Sequence, residues 1–187
     1  MDHFTFLAPW YDRVIHQKDP QKLIAMAGLP VQGAILDAGG GTGRIARTLT
    51  DQAGGVLVSD PSFGMLQQAK TKAGLGLICS HAENLSFSSN SFERVLMVDA
   101  FHHVCDQELT AQELWRVLKP GGRLVIEEPD IRVFSIKLVA IAEKLAFMRS
   151  RFLDPGKIAQ LFFYRNARTR VESEDYTAWI IVDKTGD

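Results

Sequence analysis

The sequence predicts an α/β fold with a doubly wound, mostly parallel sheet, and three observations lead to it. Short apolar runs alternate with helix-forming segments at intervals of roughly 20–30 residues, the rhythm of repeated βα units. The runs are apolar throughout rather than alternating, as strands covered on both faces should be. Two of them, at Ala34 to Asp37 and Gly55 to Asp60, end in a carboxylate just before a turn.

Asp19-Pro20 opens a short helix through Met26, which Gly28 and Pro30 end. Ala34 to Asp37 is the first strand, and Arg44 to Thr50 the helix after a glycine-rich turn. The second strand ends at Asp60, and Ser62 caps a helix reaching about Lys72, with Met65, Leu66 and Ala69 on its inner face. Leu75 to Cys79 is a third strand. Ser88-Ser89-Asn90-Ser91 turns the chain into a fourth, Arg94 to Val98. A helix over Gln107 to Leu118 stops at Lys119-Pro120-Gly121-Gly122, and Arg123 to Glu127 is the fifth strand. Beyond Pro129 the rhythm changes. Arg132 to Phe147 reads as a broad apolar helix, Asp154-Pro155-Gly156 breaks it, and a second helix covers Lys157 to Phe163. Thr169 to Glu172 and Tyr176 to Val182 then alternate like an antiparallel hairpin.

The chain of 187 residues fits a single domain with a sizeable core. Its net charge of −1 gives no long-range attraction to nucleic acid or anionic lipid. Cys79 and Cys105 are too few and too far apart for a disulfide framework, so no metal site is expected and reduced thiols are the simpler reading. No signal pattern opens the chain, and the apolar stretch around Leu138 to Phe147 is broken by Glu143 and Lys144 and too short to span a bilayer. A cytoplasmic protein is expected.

The chemistry-bearing element is Asp37-Ala38-Gly39-Gly40-Gly41-Thr42-Gly43. Glycines here let the backbone take positive φ and let a ligand lie against bare main chain. The loop fits two patterns. Asp37-x-Gly39-x-Gly41-x-Gly43 is that of a methyl-donor site, whereas Gly41-x-Gly43-x-x-Ala46 also satisfies the dinucleotide fingerprint. Asp60 does not separate them, because a carboxylate binds a ribose diol in both. Asp37 does: it would repel a pyrophosphate and attract an ammonium or sulfonium group.

Five short motifs extend this. They are Ile35-Leu36-Asp37-x-Gly39-x-Gly41-x-Gly43, Val58-x-Asp60-x-Ser62, Ala82-Glu83-x-Leu85-x-Phe87 with Ser91-Phe92, Phe101-His102-His103-Val104, and Arg116 to Gly122. In this order and spacing the chain resembles the class I S-adenosylmethionine-dependent methyltransferases, and more closely their small-molecule branch that includes the ubiquinone/menaquinone C-methyltransferases. The resemblance runs from about Tyr11 to Lys184. It implies a Rossmann-like, seven-stranded sheet whose last strand is antiparallel, a single domain over 1–187 with an N-terminal lid over 1–30, and a helical substrate-covering segment over 130–167. It also implies S-adenosylmethionine as cofactor, S-adenosylhomocysteine as product and a small-molecule methyl acceptor as partner.

Carried onto this sequence, the resemblance puts Asp37 near the methionine ammonium and Gly39, Gly41 and Gly43 against the methionine and ribose. Asp60 would take the ribose hydroxyls, Pro61 and Ser62 would pass beside the adenine, and Ala82 would meet its edge through the backbone. Asp99 would line the methyl-transfer centre, and Tyr11 would close over the cofactor. The residue before Ala82 is usually an aspartate in this branch and is His81 here. A neutral imidazole can accept one hydrogen bond, so binding that weakens as pH falls below roughly 6.5 is expected.

Plainer readings stand beside these. Asp37 or Asp60 could cap a following helix, although Ser62 is better placed for the second. Glu83, beside Ala82, could contact the cofactor directly or be a solvated loop charge. His103 and His102 are general-base candidates at the end of the fourth strand, yet one could simply pack under the cofactor or cap a helix, and methyl transfer from a sulfonium often needs no base. The stripe Val133, Phe134, Ile136, Leu138, Ile141, Leu145, Phe147 and Met148 is expected mainly to cover the sheet edge, with an acceptor pocket or dimer contact as the alternative. Arg165, Arg168 and Arg170 lie beside Glu172, Glu174 and Asp175, which favours a solvated hairpin. A nucleotide-dependent oxidoreductase and a non-catalytic cofactor-binding scaffold remain the other functional readings. Monomer and homodimer are both open.

Overall fold

The computed structural model describes residues 20–145 and 150–186. Its elements are α1 (Pro20–Ala27), β1 (Ala34–Ala38), α2 (Arg44–Thr48), β2 (Gly55–Asp60), α3 (Phe63–Ala69), β3 (Leu75–Cys79), β4 (Phe92–Val98), α4 (Gln107–Val117), β5 (Leu118–Pro129), α5 (Phe134–Leu145), α6 (Pro155–Gln160), β6 (Ala167–Glu174) and β7 (Thr177–Lys184). One seven-stranded sheet runs in the order β3-β2-β1-β4-β5-β7-β6. The first five strands are parallel, and β7 runs antiparallel to both β5 and β6. The expected α/β sheet with an antiparallel last strand is therefore present.

Both faces of the sheet are covered, which is why its central strands read as unbroken apolar runs. Successive residues alternate between two cores. Leu36, Val95, Met97, Leu124, Ile126 and Ile180 pack with Ala111 and Leu114 of α4 and with Ile158 of α6. Ile35, Val56, Val58, Leu96, Val125 and Ile181 pack with Leu23 and Met26 of α1, Ile45 of α2 and Leu66 of α3. Chain order builds outward from β1 through β2 to β3, then returns to β1's other side at β4. The switch of direction between β1 and β4 opens a crevice at the carboxyl ends of the strands, where open α/β sheets bind ligands.

Boundaries differ from the sequence expectations for local reasons. The helix expected to end at Leu118 ends at Val117, because Leu118 is already paired with Phe92. The Lys119-Pro120-Gly121-Gly122 turn forms an irregular start to β5, with a register shift between Phe92 and Arg94. The hairpin strands are longer than expected, since β6 is held by pairing to β7 while its own side chains are mostly exposed. Helix α6 starts earlier, at Pro155, with the Asp154 carboxylate accepting from the Gly156 amide at 2.8 Å. The largest correction concerns α5. Of the apolar stripe expected to cover the sheet edge, Ile136 is buried, but Phe134 is 74% exposed, Leu138 53% and Ile141 57%. The side chains of Leu145, Phe147 and Met148 lie outside the described residues, as does most of the proposed 1–30 lid.

One buried charge ties the last strand to the sheet's helical layer. Lys184, at the end of β7, donates to the carbonyls of Trp115 (3.0 Å) and Leu118 (2.8 Å) and to Asn90 Oδ1 (3.1 Å). It also sits 4.8 Å from the centre of the Trp115 ring. The ammonium thus satisfies carbonyls that the end of α4 leaves without intrahelical donors. Lys184→Met, which keeps the apolar stem but strands those carbonyls, is expected to cost about 2 kcal/mol, read as a lower urea midpoint at unchanged slope.

Candidate active site

The crevice is a cleft of about 520 Å³, lined by the β1 glycine loop, the ends of β2 and β4, and the segments 81–83 and 103–105. A smaller cavity of about 50 Å³ continues behind the loop, walled by Asp37, Gly40, Thr42, Arg44 and Asp99. Parallel register explains the convergence. Asp37 pairs with Val58 of β2 and with Leu96 of β4, so the acidic strand ends at Asp37, Asp60 and Asp99 collect at one edge.

The loop's shape is dictated by glycine. Gly39, Gly41 and Gly43 have φ of +70°, +54° and +70°, a region that other residues enter only at a cost. A Cβ at Gly40 would lie 2.5 Å from Asp37 Oδ2, and one at Gly39 would lie 2.8 Å from the Ala100 Cβ. The loop's amides are largely committed within the protein. Those of Gly39 and Gly40 donate to the Ser59 carbonyl at 2.7 and 3.3 Å, and that of Gly43 donates to the Gly40 carbonyl at 2.9 Å. The loop therefore offers a ligand bare backbone surface more than free donors, a refinement of the sequence expectation.

Asp60 is the loop's anchor. Its Oδ2 accepts from the Gly41 amide at 2.9 Å and its Oδ1 from the Ser62 amide at 2.8 Å. These two bonds fix the carboxylate's direction at the cleft wall. The helix-capping alternative survives only in this two-residue bond to Ser62. Ser62 itself stands at the N-cap position of α3 without a side-chain cap bond.

Asp37 is handled in the opposite way. It is 1% exposed, and neither carboxylate oxygen has a well-formed hydrogen bond among the described residues, the Ala46 amide offering at best a weak one. Burial above all, and then the neighbouring Asp60 charge, push its pKa up to about 7; the Ala46 amide and the Arg44 guanidinium oppose this only in part.

Other predicted residues fall into place unevenly. Pro61, Ser62, His81, Ala82, Glu83 and Asp99 line the cleft with Gly39, Gly41 and Asp60. His81 is largely exposed, with Nδ1 3.9 Å from a Glu83 oxygen. Glu83 is no solvated loop charge: its Oε1 accepts from the amides of Cys105 (2.7 Å) and Asp106 (3.2 Å) and pins the far wall. Asp99 takes φ +50° without being glycine, a strained backbone that commonly marks a functional turn. His103 lines the cleft, whereas His102 is buried beneath it. Tyr11 lies outside the described residues.

Two acidic residues were missed at the end of β5. Glu128 accepts from the Phe101 amide at 2.9 Å and holds His102 Nδ1 at 2.6 Å; Glu127 accepts from Trp179 Nε1 at 2.9 Å. The signal was there: Ile126-Glu127-Glu128 puts two acids where an apolar buried strand should continue. Burial works against charging His102, but Glu128, with help from Glu143 and Asp99, outweighs it and raises its pKa. For His103, burial and then the His102 charge push the pKa down to about 3.

Fold and site together resemble those of the class I S-adenosylmethionine-dependent methyltransferases. Residues 36–126, just under half of the chain, match the methyltransferase domain family. Within that class it is 31% identical over 124 residues to the ubiquinone/menaquinone biosynthesis C-methyltransferase of Pseudoalteromonas translucida, covering 61% of this chain and 49% of that protein. With the protein of the same name from Francisella tularensis subsp. novicida it shares 30% over 154 residues, 77% of this chain and 60% of the other. The chain thus spans roughly half of the relatives it matches. Among solved structures, a chain of the complex between the Haloferax volcanii Trm112 methyltransferase activator and a putative methyltransferase superposes with a TM-score of 0.80. It is 18% identical, with 100% of this chain and 99% of that one covered. A Thermotoga maritima S-adenosylmethionine-dependent methyltransferase, a possible histamine N-methyltransferase, gives 0.80 at 22% identity, with 97% and 98% covered.

The residues present fit S-adenosylmethionine on the structure's own terms. A buried carboxylate without a well-formed hydrogen bond among the described residues lies behind a glycine loop that a Cβ would fill, and a second, well-braced carboxylate stands at the mouth.

Because the folded protein holds a proton on Asp37 that the unfolded chain gives up near pH 3.8, stability from this group falls as pH rises from about 4 to about 7, then levels off. The slope is about 1.4 kcal/mol per pH unit. Urea unfolding of the ligand-free protein at about pH 5.5 and about pH 8, compared with Asp37→Asn, is expected to show the variant gaining relative stability at the higher pH.

Proposed function

We propose that this protein transfers a methyl group from S-adenosylmethionine to a small-molecule acceptor, with an apolar or quinone-like ring the acceptor class its relatives suggest. The observation that carries the reading is Asp37: a buried carboxylate without a well-formed hydrogen bond among the described residues stabilises a cationic ligand group and opposes a phosphate. S-adenosylmethionine, when bound, supplies a methyl group on positively charged sulfur, already activated for displacement.

The chain's own residues then bind and orient. Asp37 takes the ligand's ammonium group, and Asp60, held in direction by the Gly41 and Ser62 amides, takes the ribose hydroxyls. Pro61, Ser62, His81, Ala82 and Glu83 flank the adenine end. Met97, Ala100 and Val104 form an apolar wall that keeps water from the reacting centre. Asp99 and the histidine pair stand at the acceptor end. Alignment of acceptor, methyl and sulfur supplies much of the rate in such a site, so no side-chain base is required. Tyr11 closing over the cleft, action in the cytoplasm and a monomeric or homodimeric state complete the proposal. No helix among the described residues is long and apolar enough to cross a membrane.

Calorimetry with S-adenosylhomocysteine and with NADH separates this reading from a nucleotide-dependent oxidoreductase. Micromolar binding of S-adenosylhomocysteine is expected, weakened about 100-fold, roughly 2.7 kcal/mol, in Asp60→Ala, which loses both a ribose partner and the loop's anchor. Micromolar binding of NADH alone would overturn the assignment. A methyl-transfer screen over a metabolite panel, with Asp60→Ala as the inactive control, identifies the acceptor; donor binding without turnover of any compound would favour a scaffold.

A further inference from the structure

Three side chains from two elements meet at the acceptor end of the cleft. One donor atom each from His102, His103 and Glu143 lies within 4.8 Å of the others. Glu143 stands on α5, whose outer face is largely exposed, yet its Oε2 is buried and has no hydrogen-bond partner among the described residues. A carboxylate oxygen removed from water without a donor is costly unless something positive joins it. We propose that His102, His103 and Glu143 bind a divalent transition-metal ion of the zinc class, with its open coordination positions facing the cleft.

The surrounding contacts are those that a metal centre requires. His102 Nδ1 lies 2.6 Å from Glu128, which is itself held by the Phe101 amide. A carboxylate partner fixes the proton on Nδ1 and turns Nε2 outward as a ligand, the arrangement in which metal-binding histidines are usually oriented. His103 Nδ1 lies 3.1 Å from Ser150 Oγ, which steadies the second ring. The two rings are tilted by 47° rather than stacked flat, and Phe152 packs against the far side of His102 with centroids 4.3 Å apart. Two imidazoles and one carboxylate are the donors of open, catalytic zinc sites and suit several neighbouring ions. Bond lengths near 2.0–2.2 Å require the donors to draw together by roughly 1 Å, within reach of a side-chain rotation of Glu143. An ion here would take an oxygen or nitrogen donor from the acceptor, such as a hydroxyl or carboxylate beside the methylated atom. The ion site stands on these side chains alone; only its role toward the acceptor rests on the methyl-transfer reading.

The test uses the full chain, stripped with a chelator and titrated with Zn²⁺ alone against a chromophoric competitor, and separately with Co²⁺ alone, followed by visible absorption. One ion per chain is expected, bound in the micromolar range or tighter, with a Co²⁺ spectrum of nitrogen and oxygen ligation. Glu143→Gln and His103→Ala should each weaken binding at least tenfold. Thermal unfolding of Glu143→Gln at an unchanged midpoint shows that a ligand, not the fold, was lost. Weaker binding by the unaltered chain, or affinity that both variants leave within twofold, overturns the proposal. Binding of S-adenosylhomocysteine to the metal-stripped protein is measured alongside, so that either reading can fail by itself.

Discussion

The site depends on how the protein treats negative charge at the ends of its parallel strands. Register places Asp37, Asp60 and Asp99 at one edge, and each is handled differently. Asp60 is clamped by two backbone amides and shapes the loop that it supports. Asp99 sits on strained backbone at the cleft wall. Asp37 is buried without a well-formed hydrogen bond to either oxygen among the described residues. A fold can keep such a group only where packing over-determines its position, and here Leu36 and Ala38, both fully buried, fix the strand on either side. The free energy withheld from Asp37 would be returned by a positive group placed against it, which is how a binding site differs from a well-satisfied core.

The second level of organisation lies below the cleft, where β5 ends in Glu127-Glu128. Both acids point into the protein and find nitrogen donors, one on Trp179 of β7 and one on His102. The antiparallel last strand, an unusual addition to a doubly wound sheet, is therefore joined to the site by more than ladder bonds. Trp179 stiffens the strand end whose next carboxylate positions the histidine. From there the histidine pair reaches Ser150 and Glu143, so the region after β5 meets the cleft wall even though its outer apolar face stands in water.

Much of the fold was legible because strand and helix signals agreed with each other. The apolar runs at β1, β2, β4 and β5, and the turns between them, placed the sheet with end errors of a few residues. Helix α5 misled for a physical reason. A stripe of Phe134, Leu138 and Ile141 reads as a buried face, but hydrophobic periodicity reports that a face is apolar and not that anything covers it. The loop amides misled similarly, since their bonds to Ser59 and Asp60 depend on how close β2 lies, a distance no local pattern contains.

The sequence by itself determined the sheet, the glycine loop and the identity of the carboxylates, because these follow from short-range chemistry: strand patterning, positive φ, and the sign of a charge. Only the tertiary structure decided what each acid does. Asp60 is braced and Asp37 is not; Glu83 holds a loop; Glu128 holds His102; Glu143 arrives from a distant helix beside two imidazoles. Burial and partnership are properties of groups brought together across the chain, and they set whether the same side chain is a brace, a ligand for a cation or a carrier of a proton.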